Sequence, residues 1–178
     1  MLKGVFLPAQ ANPFDAVEPV SNKIDLSGFD CGNPDFNDFI AKDALRDSED
    51  NYSVTYIGII RGAPAAYVCL VAASYRTEAI GASASRRYRY RSIPAVKIAR
   101  IATDRRYQRA GFGKALVAFS TSIARKVGEL VGCRLLVTDA LLERIPWYEE
   151  LGFKLSLPSS MAHKRENYPM FFPLPSRR

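Results

Sequence analysis

The stretch Ala102 to Phe119 reads ATDRRYQRAGFGKALVAF. Gly111 and Gly113 stand one residue apart, with Arg105, Arg106 and Arg109 before them and an apolar helical pattern after them. Upstream, AVKIARIATD carries the β-branched residues Val96, Ile98 and Ile101, which predict a strand. Downstream, Phe112, Leu116, Phe119, Ile123, Val127 and Leu130 recur at helical spacing, and Gly132 closes the run. Strand, short glycine turn and helix together make an anion cradle. The first turn of a helix has N–H groups without partners and carries the positive end of the dipole. Glycine lets a bulky phosphate come close to the backbone. The arginines then stand outside the bound anion. A tight turn that only shapes the chain is the competing reading of the two glycines.

Two familiar phosphate sites are excluded. A P-loop requires glycine where Gln108 stands and a hydroxyl where Ala115 stands. A dinucleotide fingerprint requires a third glycine after an early strand; only Gly-x-Gly is present, and the order of elements before it is not a strand–helix–strand unit.

Outward from this stretch, FDCGNPDFNDFIAKDALRD predicts a helix. Asn33 is its cap and Pro34 its first position, and Phe36, Phe39, Ile40 and Leu45 share a face. YSVTYIGII and APAAYVCLVAA read as a hairpin joined by RGAP. RTEAIGASASRRYRYRSIP reads as a long basic loop. CRLLVTDA is an apolar strand, PWYEELGF a short helix, and FKLSL and PMFFPL two last strands. The order β-α-β-β-β-α-β-α-β-β predicts an α/β (α+β) fold, a mixed sheet covered by helices. No repeat or linker divides the chain, so a single domain over 1–178 is expected.

Composition narrows the chemistry. The chain of 178 residues is 48% hydrophobic and 24% charged, as expected of a globular protein. No apolar run is long enough to span a membrane, and Pro8 and Pro13 break the N-terminal segment, so a cytoplasmic location is expected. Cys31, Cys69 and Cys133 are odd in number and scattered, which argues against a disulfide framework. With His163 as the sole histidine, no metal-ligand spacing exists and a zinc site is rejected. His163 in the polar run SSMAHKREN reads as a surface residue rather than a catalytic base.

The charge is uneven. Arg86 to Arg109 holds nine basic residues and one acid, a net +8 against +7 for the whole chain. Such an excess points to an anionic partner. Arg86, Arg87, Arg89 and Arg91 alternate with Tyr88 and Tyr90. Arginines can neutralise phosphates while tyrosines stack on bases, which suits an RNA end. A ribbon with tyrosines inward and arginines in water fits the alternation equally well.

Gln-Arg-Ala-Gly-Phe-Gly at Gln108 to Gly113 resembles the Gln/Arg-x-x-Gly-x-Gly/Ala motif of the GNAT N-acyltransferase superfamily. WYEELGF, Trp147 to Phe153, resembles that superfamily's tail motif, and the separation and intervening strand also match. The resemblance covers Ile24 to Leu174. It implies a central sheet with two splayed parallel strands and direct acetyl transfer from acetyl-coenzyme A to an amine. It implies that Gln108, Arg109, Ala110, Gly111, Phe112, Gly113, Lys114 and Ala115 hold the pyrophosphate. Backbone groups of Ile101, Ala102 and Thr103 would contact the pantetheine arm and polarise the thioester. Tyr148 takes the place of the proton donor to the leaving thiolate; its competing role is in the core beside Trp147 and Phe153. Asp139 is a weaker candidate for a base. The asparagine common after the second parallel strand is missing, and Pro146 is unusual.

FDCGNPDFNDFI followed by the basic loop resembles a narrower branch, the toxins that acetylate aminoacyl-tRNA. That branch implies charged tRNA as acceptor and a small ribbon-helix-helix antitoxin as partner, and its members are often dimers. Two other readings stay open: acetylation of a small-molecule or protein amine, and a GNAT module that binds coenzyme A or RNA without turnover.

Overall fold

The computed structural model describes residues 13–80, 88–156 and 166–176. Arg86, Arg87 and His163 lie outside the described residues. The elements run β1 (Ala16–Pro19), α1 (Pro34–Asp38), a π-helical turn (Phe39–Asp43), α2 (Ala44–Glu49), β2 (Val54–Ile60), β3 (Ala63–Arg76), β4 (Ser92–Thr103), α3 (Phe112–Leu130), β5 (Leu135–Ala140), α4 (Ile145–Glu150), β6 (Lys154–Leu155) and β7 (Tyr168–Pro173). Short 3-10 turns occupy Thr77–Ile80, Arg105–Tyr107 and Leu142–Arg144. The strands form one seven-stranded mixed sheet in the order β1-β2-β3-β4-β5-β7-β6.

Two compact units divide the chain. The first comprises the described residues up to Val71 together with Ala99–Ser122. Its strands β1 and β2 are antiparallel, as are β2 and β3, from Val54↔Leu70 to Ile60↔Ala63. The hairpin closes through Arg61 and Gly62, both left-handed at φ 50° and 76°, the pattern that follows the natural strand twist. Phe29, Phe39, Ile40, Ala44, Ile57 and Tyr67 form its core.

The second unit comprises Ala72–Ile98 and the described residues from Ile123 onward. There β4 and β5 are parallel, and their ladder runs from Ala95↔Leu135 to Ile98↔Thr138. It stops there, although β4 continues to Thr103 and β5 to Ala140. The family resemblance implies this parting of the parallel strands. The last strand, β7, inserts between β5 and β6, antiparallel to both. Ile80, Ile93, Ala95, Leu135, Val137 and Phe171 form the core.

Several expectations change in detail. The helix expected after Asn33 is interrupted by the π-turn. Ala44 N–H bonds back to Phe39 O, five residues away, so Phe39 and Ala44 come to the same buried side. In a regular helix residues five apart would diverge. The basic loop is shorter than expected because its flanks extend the strands. Thr77 N–H donates to Arg91 O at 2.9 Å, and the Ser74 and Ser92 hydroxyls meet at 2.6 Å. Polar side chains at alternate positions favour such a solvated extension.

Candidate active site

The glycine turn belongs to the first unit and is built on a buried carboxylate. After β4, Asp104 N–H donates to Ala65 O at 2.9 Å. The Asp104 side chain, 2% exposed, caps the 3-10 turn and accepts from Arg106 N–H at 2.9 Å. It also accepts from Arg106 Nε at 2.8 Å, from Arg106 Nη2 at 3.0 Å and from Asp30 N–H at 3.1 Å. Burial alone would push this carboxyl up. The Arg106 bonds and charge, with the backbone N–H groups, more than offset that and hold it below the usual carboxylate range.

Two of the arginines expected outside the anion have carboxylate partners in the fold. Arg106 is committed to Asp104, and Arg105 pairs with Asp30 at 3.2 Å. Gln108 is also committed. Its Nε2 donates to Cys31 O at 2.9 Å and to Thr103 O at 3.0 Å, so the side chain holds backbone together. The sequence places these residues near the turn but cannot rank a bound anion above neighbouring carboxylates and carbonyls. Only the tertiary contacts do that.

Beyond Gln108 the chain turns through left-handed Arg109, φ 63°, and Gly111, φ 88°, into α3. Phe112 anchors the helix start between the Phe14 and Tyr107 rings, at centroid distances of 5.2 and 5.6 Å. Ala115 N–H bonds Gly111 O at 3.1 Å. Among the described residues, nothing accepts from the N–H groups of Phe112, Gly113 and Lys114. A Cβ on Gly111 would meet nothing within 4 Å, so the space beside this backbone is open. Arg109, Ala110, Gly111 and Lys114 are exposed, and Gly113 and Ala115 half-buried. Among the described residues, neither Arg109 nor Lys114 has an acidic partner. Ile101, Ala102 and Thr103 are half-buried at the end of β4. Donors without partners, open space and two unpaired cations suit a pyrophosphate.

Tyr148 belongs to the second unit. It is 5% exposed on α4, edge-on to Trp147 at 4.8 Å and to Phe153 at 5.2 Å. Its packing is therefore the core packing that competed with a chemical role. Its hydroxyl nonetheless has a polar partner, the Thr138 side chain. Thr138 Oγ1 also donates to Ile98 O at 3.2 Å. Burial pushes the Tyr148 pKa above its ordinary value, against the lowering pull of Thr138 and Arg144. Pro146 sits in the first turn of α4, where a missing N–H costs nothing. Asp139 is paired with Lys97 at 2.6 Å and is not a free base.

The described part of the basic segment divides the two readings of its tyrosines. Tyr88 packs against the second unit's core, while Tyr90 is 68% exposed. Arg89 and Arg91 are exposed, and Arg89 lies 5.5 Å from the Tyr90 ring centroid. Among the described residues no three His, Cys, Asp or Glu side chains could hold a metal, and no helix is long and apolar enough to cross a membrane. Sequence reasoning missed Asp30, Asn37, Asp104 and Thr138. Asp104 carried one signal, as the only acid in the basic window.

A mixed sheet with a parting parallel pair, and a glycine turn leading from its β4 into a helix, defines an acetyltransferase-type α/β protein. The family described as the acetyltransferase (GNAT) domain matches residues 53–155, more than half of the chain, and the chain belongs to it. Among its relatives is a tRNA-acetylating toxin of Mycobacterium tuberculosis, 23% identical over 151 residues, covering 84% of this chain and 90% of the relative. The structure of AtaT complexed with acetyl-methionyl-tRNAfMet is 27% identical with a TM-score of 0.77, covering 89% of this chain and 94% of that one. A tyrosine-to-phenylalanine variant of AtaT, bound to the C-terminus of the antitoxin AtaR and acetyl-CoA, is 25% identical with a TM-score of 0.70; 89% of this chain and 92% of that chain are covered.

Proposed function

We propose that this protein moves an acetyl group from acetyl-CoA to the α-amine of an aminoacyl-tRNA, and so acts as a translation-blocking toxin in the cytoplasm. The observation that carries the reading is the turn at 109–114, with open space beside Gly111 and, among the described residues, unpartnered N–H groups and two unpaired cations. The relatives' acceptors and cofactor support the same choice. The coenzyme supplies an activated thioester. The chain's own groups bind and orient it.

The N–H groups of Phe112, Gly113 and Lys114 donate to the pyrophosphate, while Arg109 and Lys114 balance its charge. Gln108 serves through its side-chain bonds to Cys31 and Thr103 rather than by touching phosphate. Ala110, Gly111 and Ala115 leave room for the ligand. Backbone groups of Ile101, Ala102 and Thr103 hold the pantetheine arm and polarise the thioester carbonyl. Tyr148 keeps its proton at neutral pH and passes it to the departing sulfur. The amine nitrogen gives its electron pair to the carbonyl carbon as the carbon–sulfur bond breaks, and its surplus proton leaves to water. Arg89 and Arg91, with Arg86 and Arg87, meet the tRNA phosphates, and exposed Tyr90 offers a stacking face. The residues 1–178 work as one acetyltransferase domain. A small ribbon-helix-helix antitoxin is its partner.

The test is transfer of labelled acetyl from acetyl-CoA to a charged-tRNA pool, with uncharged tRNA and polyamines as controls. Label on charged tRNA alone is expected. Label on polyamines, or on no RNA, would refute the tRNA acceptor.

A further inference from the structure

The stretch FDCGNPDFNDF, Phe29 to Phe39, holds a network that acetyl transfer leaves unexplained. Asn33 caps α1 by accepting the Asp35 N–H at 3.0 Å. Asn37 then reaches back over the loop. Its Oδ1 accepts from the Cys31 N–H at 2.9 Å and from the Cys31 thiol at 3.1 Å. Its Nδ2 donates to Asp30 Oδ1 at 2.8 Å, and the same oxygen accepts the Gly32 N–H at 2.8 Å. The other Asp30 oxygen faces Arg105 Nη1 at 3.2 Å. Asn37 and the Gly32 N–H hold the Asp30 carboxyl below its usual range, with a smaller contribution from Arg105.

This loop is tied to the residues that lead into the glycine turn. Asp30 N–H bonds Asp104, and Arg105 N–H bonds Asp30 O at 2.9 Å. Gln108 spends one amide hydrogen on Cys31 O and the other on Thr103 O. Gly32, at φ 88°, lies against the Arg105 guanidinium so closely that a Cβ would sit 2.8 Å from Nε. Residues 103–108 are thus gripped on one side, immediately before left-handed Arg109 and Gly111. A non-glycine residue holds such a backbone only when its surroundings over-determine it.

We propose that Asp30 and Asn37 are positioning residues for the turn at 109–111. Through Arg105 and Gln108 they hold it in its ligand-receiving shape before an anion arrives. This rests on the reading of that turn as the pyrophosphate site. Holding a binding loop in advance removes an ordering cost that would otherwise weaken binding.

The test uses the full chain with Asp30→Ala, Asn37→Ala and Gly111→Val, each checked for folding by circular dichroism. Asp30→Asn keeps the side-chain shape and replaces Asp30→Ala if that variant does not fold. Calorimetric titration with coenzyme A needs no acceptor, so its outcome is independent of the tRNA assignment. Asp30→Ala and Asn37→Ala are expected to weaken coenzyme A binding about tenfold, the scale of the ordering cost that a preformed loop avoids. With acetyl-CoA, KM rises and kcat holds. With acetyl-pantetheine, which lacks the pyrophosphate, rates stay at the wild-type level. Binding within twofold of wild type in folded Asp30 and Asn37 variants would overturn the proposal, as would a parallel loss with both acetyl donors. Unchanged binding in Gly111→Val would overturn the reading of the turn itself.

Discussion

At the residue scale, Tyr148 is a core aromatic and, in the proposed mechanism, the proton donor, and its neighbours are compatible with both roles. Trp147 and Phe153 pack its ring, and Thr138 keeps its hydroxyl partnered in an apolar place. A buried phenol without that partner would be costly. Tyr148→Phe should therefore lower kcat by about 100-fold, the usual scale of general-acid assistance, while coenzyme A binding stays at its wild-type level. Steady-state rates beside calorimetry check this. Because burial raises the phenol pKa above its ordinary value, Tyr148 stays protonated through the alkaline range. The profile of kcat/KM should rise with pH as the acceptor amine deprotonates, with no fall below about pH 10. An alkaline limb near pH 8 would rule Tyr148 out as the acid. Lys114 carries a separate expectation: Lys114→Ala should raise KM for acetyl-CoA and leave kcat alone.

At the element scale, the entry to α3 depends on backbone conformation more than on charge. Gly111 has φ 88° with free space around it, so a side chain there meets strain before it meets a neighbour. Gly111→Ala should cost about 1–2 kcal/mol from the left-handed backbone alone, and coenzyme A affinity should fall with it. Denaturant melts read the first quantity and calorimetry the second. The ladder between β4 and β5 gives the complementary view. It ends at Ile98↔Thr138, and Thr138 Oγ1 donates to Ile98 O at that last rung. The residue that partners the tyrosine is also the one at which the parallel strands stop pairing.

At the scale of the whole molecule, two charge effects should be measurable. The basic window carries +8 and the rest of the chain little net charge. If it meets RNA, tRNA affinity should fall steeply with salt, and each phosphate-contacting arginine removed should reduce the slope of log K against log salt by about 0.7–0.9. Filter binding of Arg89→Ala and Arg91→Ala over a salt series checks this, and a slope equal to that of wild type would exclude those contacts. The second effect is acid lability. The carboxyls of Asp104 and Asp30 lie below their ordinary value of 3.8 in the folded protein. Their stabilising contribution is therefore complete above that value and lost as pH falls through the lower, folded values. Thermal melting should be level from pH 5 to 8 with respect to these groups and drop below about pH 4. Asp104→Asn should flatten that drop.

Some of this was decided locally, and the sequence by itself determined it. Periodicity gave the order of the elements from the Asn33-capped helix onward, because strand and helix spacings are properties of short windows. The glycine turn was legible because a left-handed backbone and a helix start are written in adjacent residues. The pairing of Tyr148 with the tail motif, and the family it points to, were legible for the same reason. Only the tertiary structure decided what the polar groups bond to. Arg105 and Gln108 look like ligand groups in the chain, yet Asp30 and the carbonyl of Cys31 claim them across more than seventy residues, and Asp104, which holds its neighbour Arg106, is tied to Asp30 over a similar span. Thr138 likewise gains its place from β4, forty residues away. Short-range spacing fixes which element a residue joins. A hydrogen bond depends on which residues folding brings within about 3 Å, and no local pattern records that.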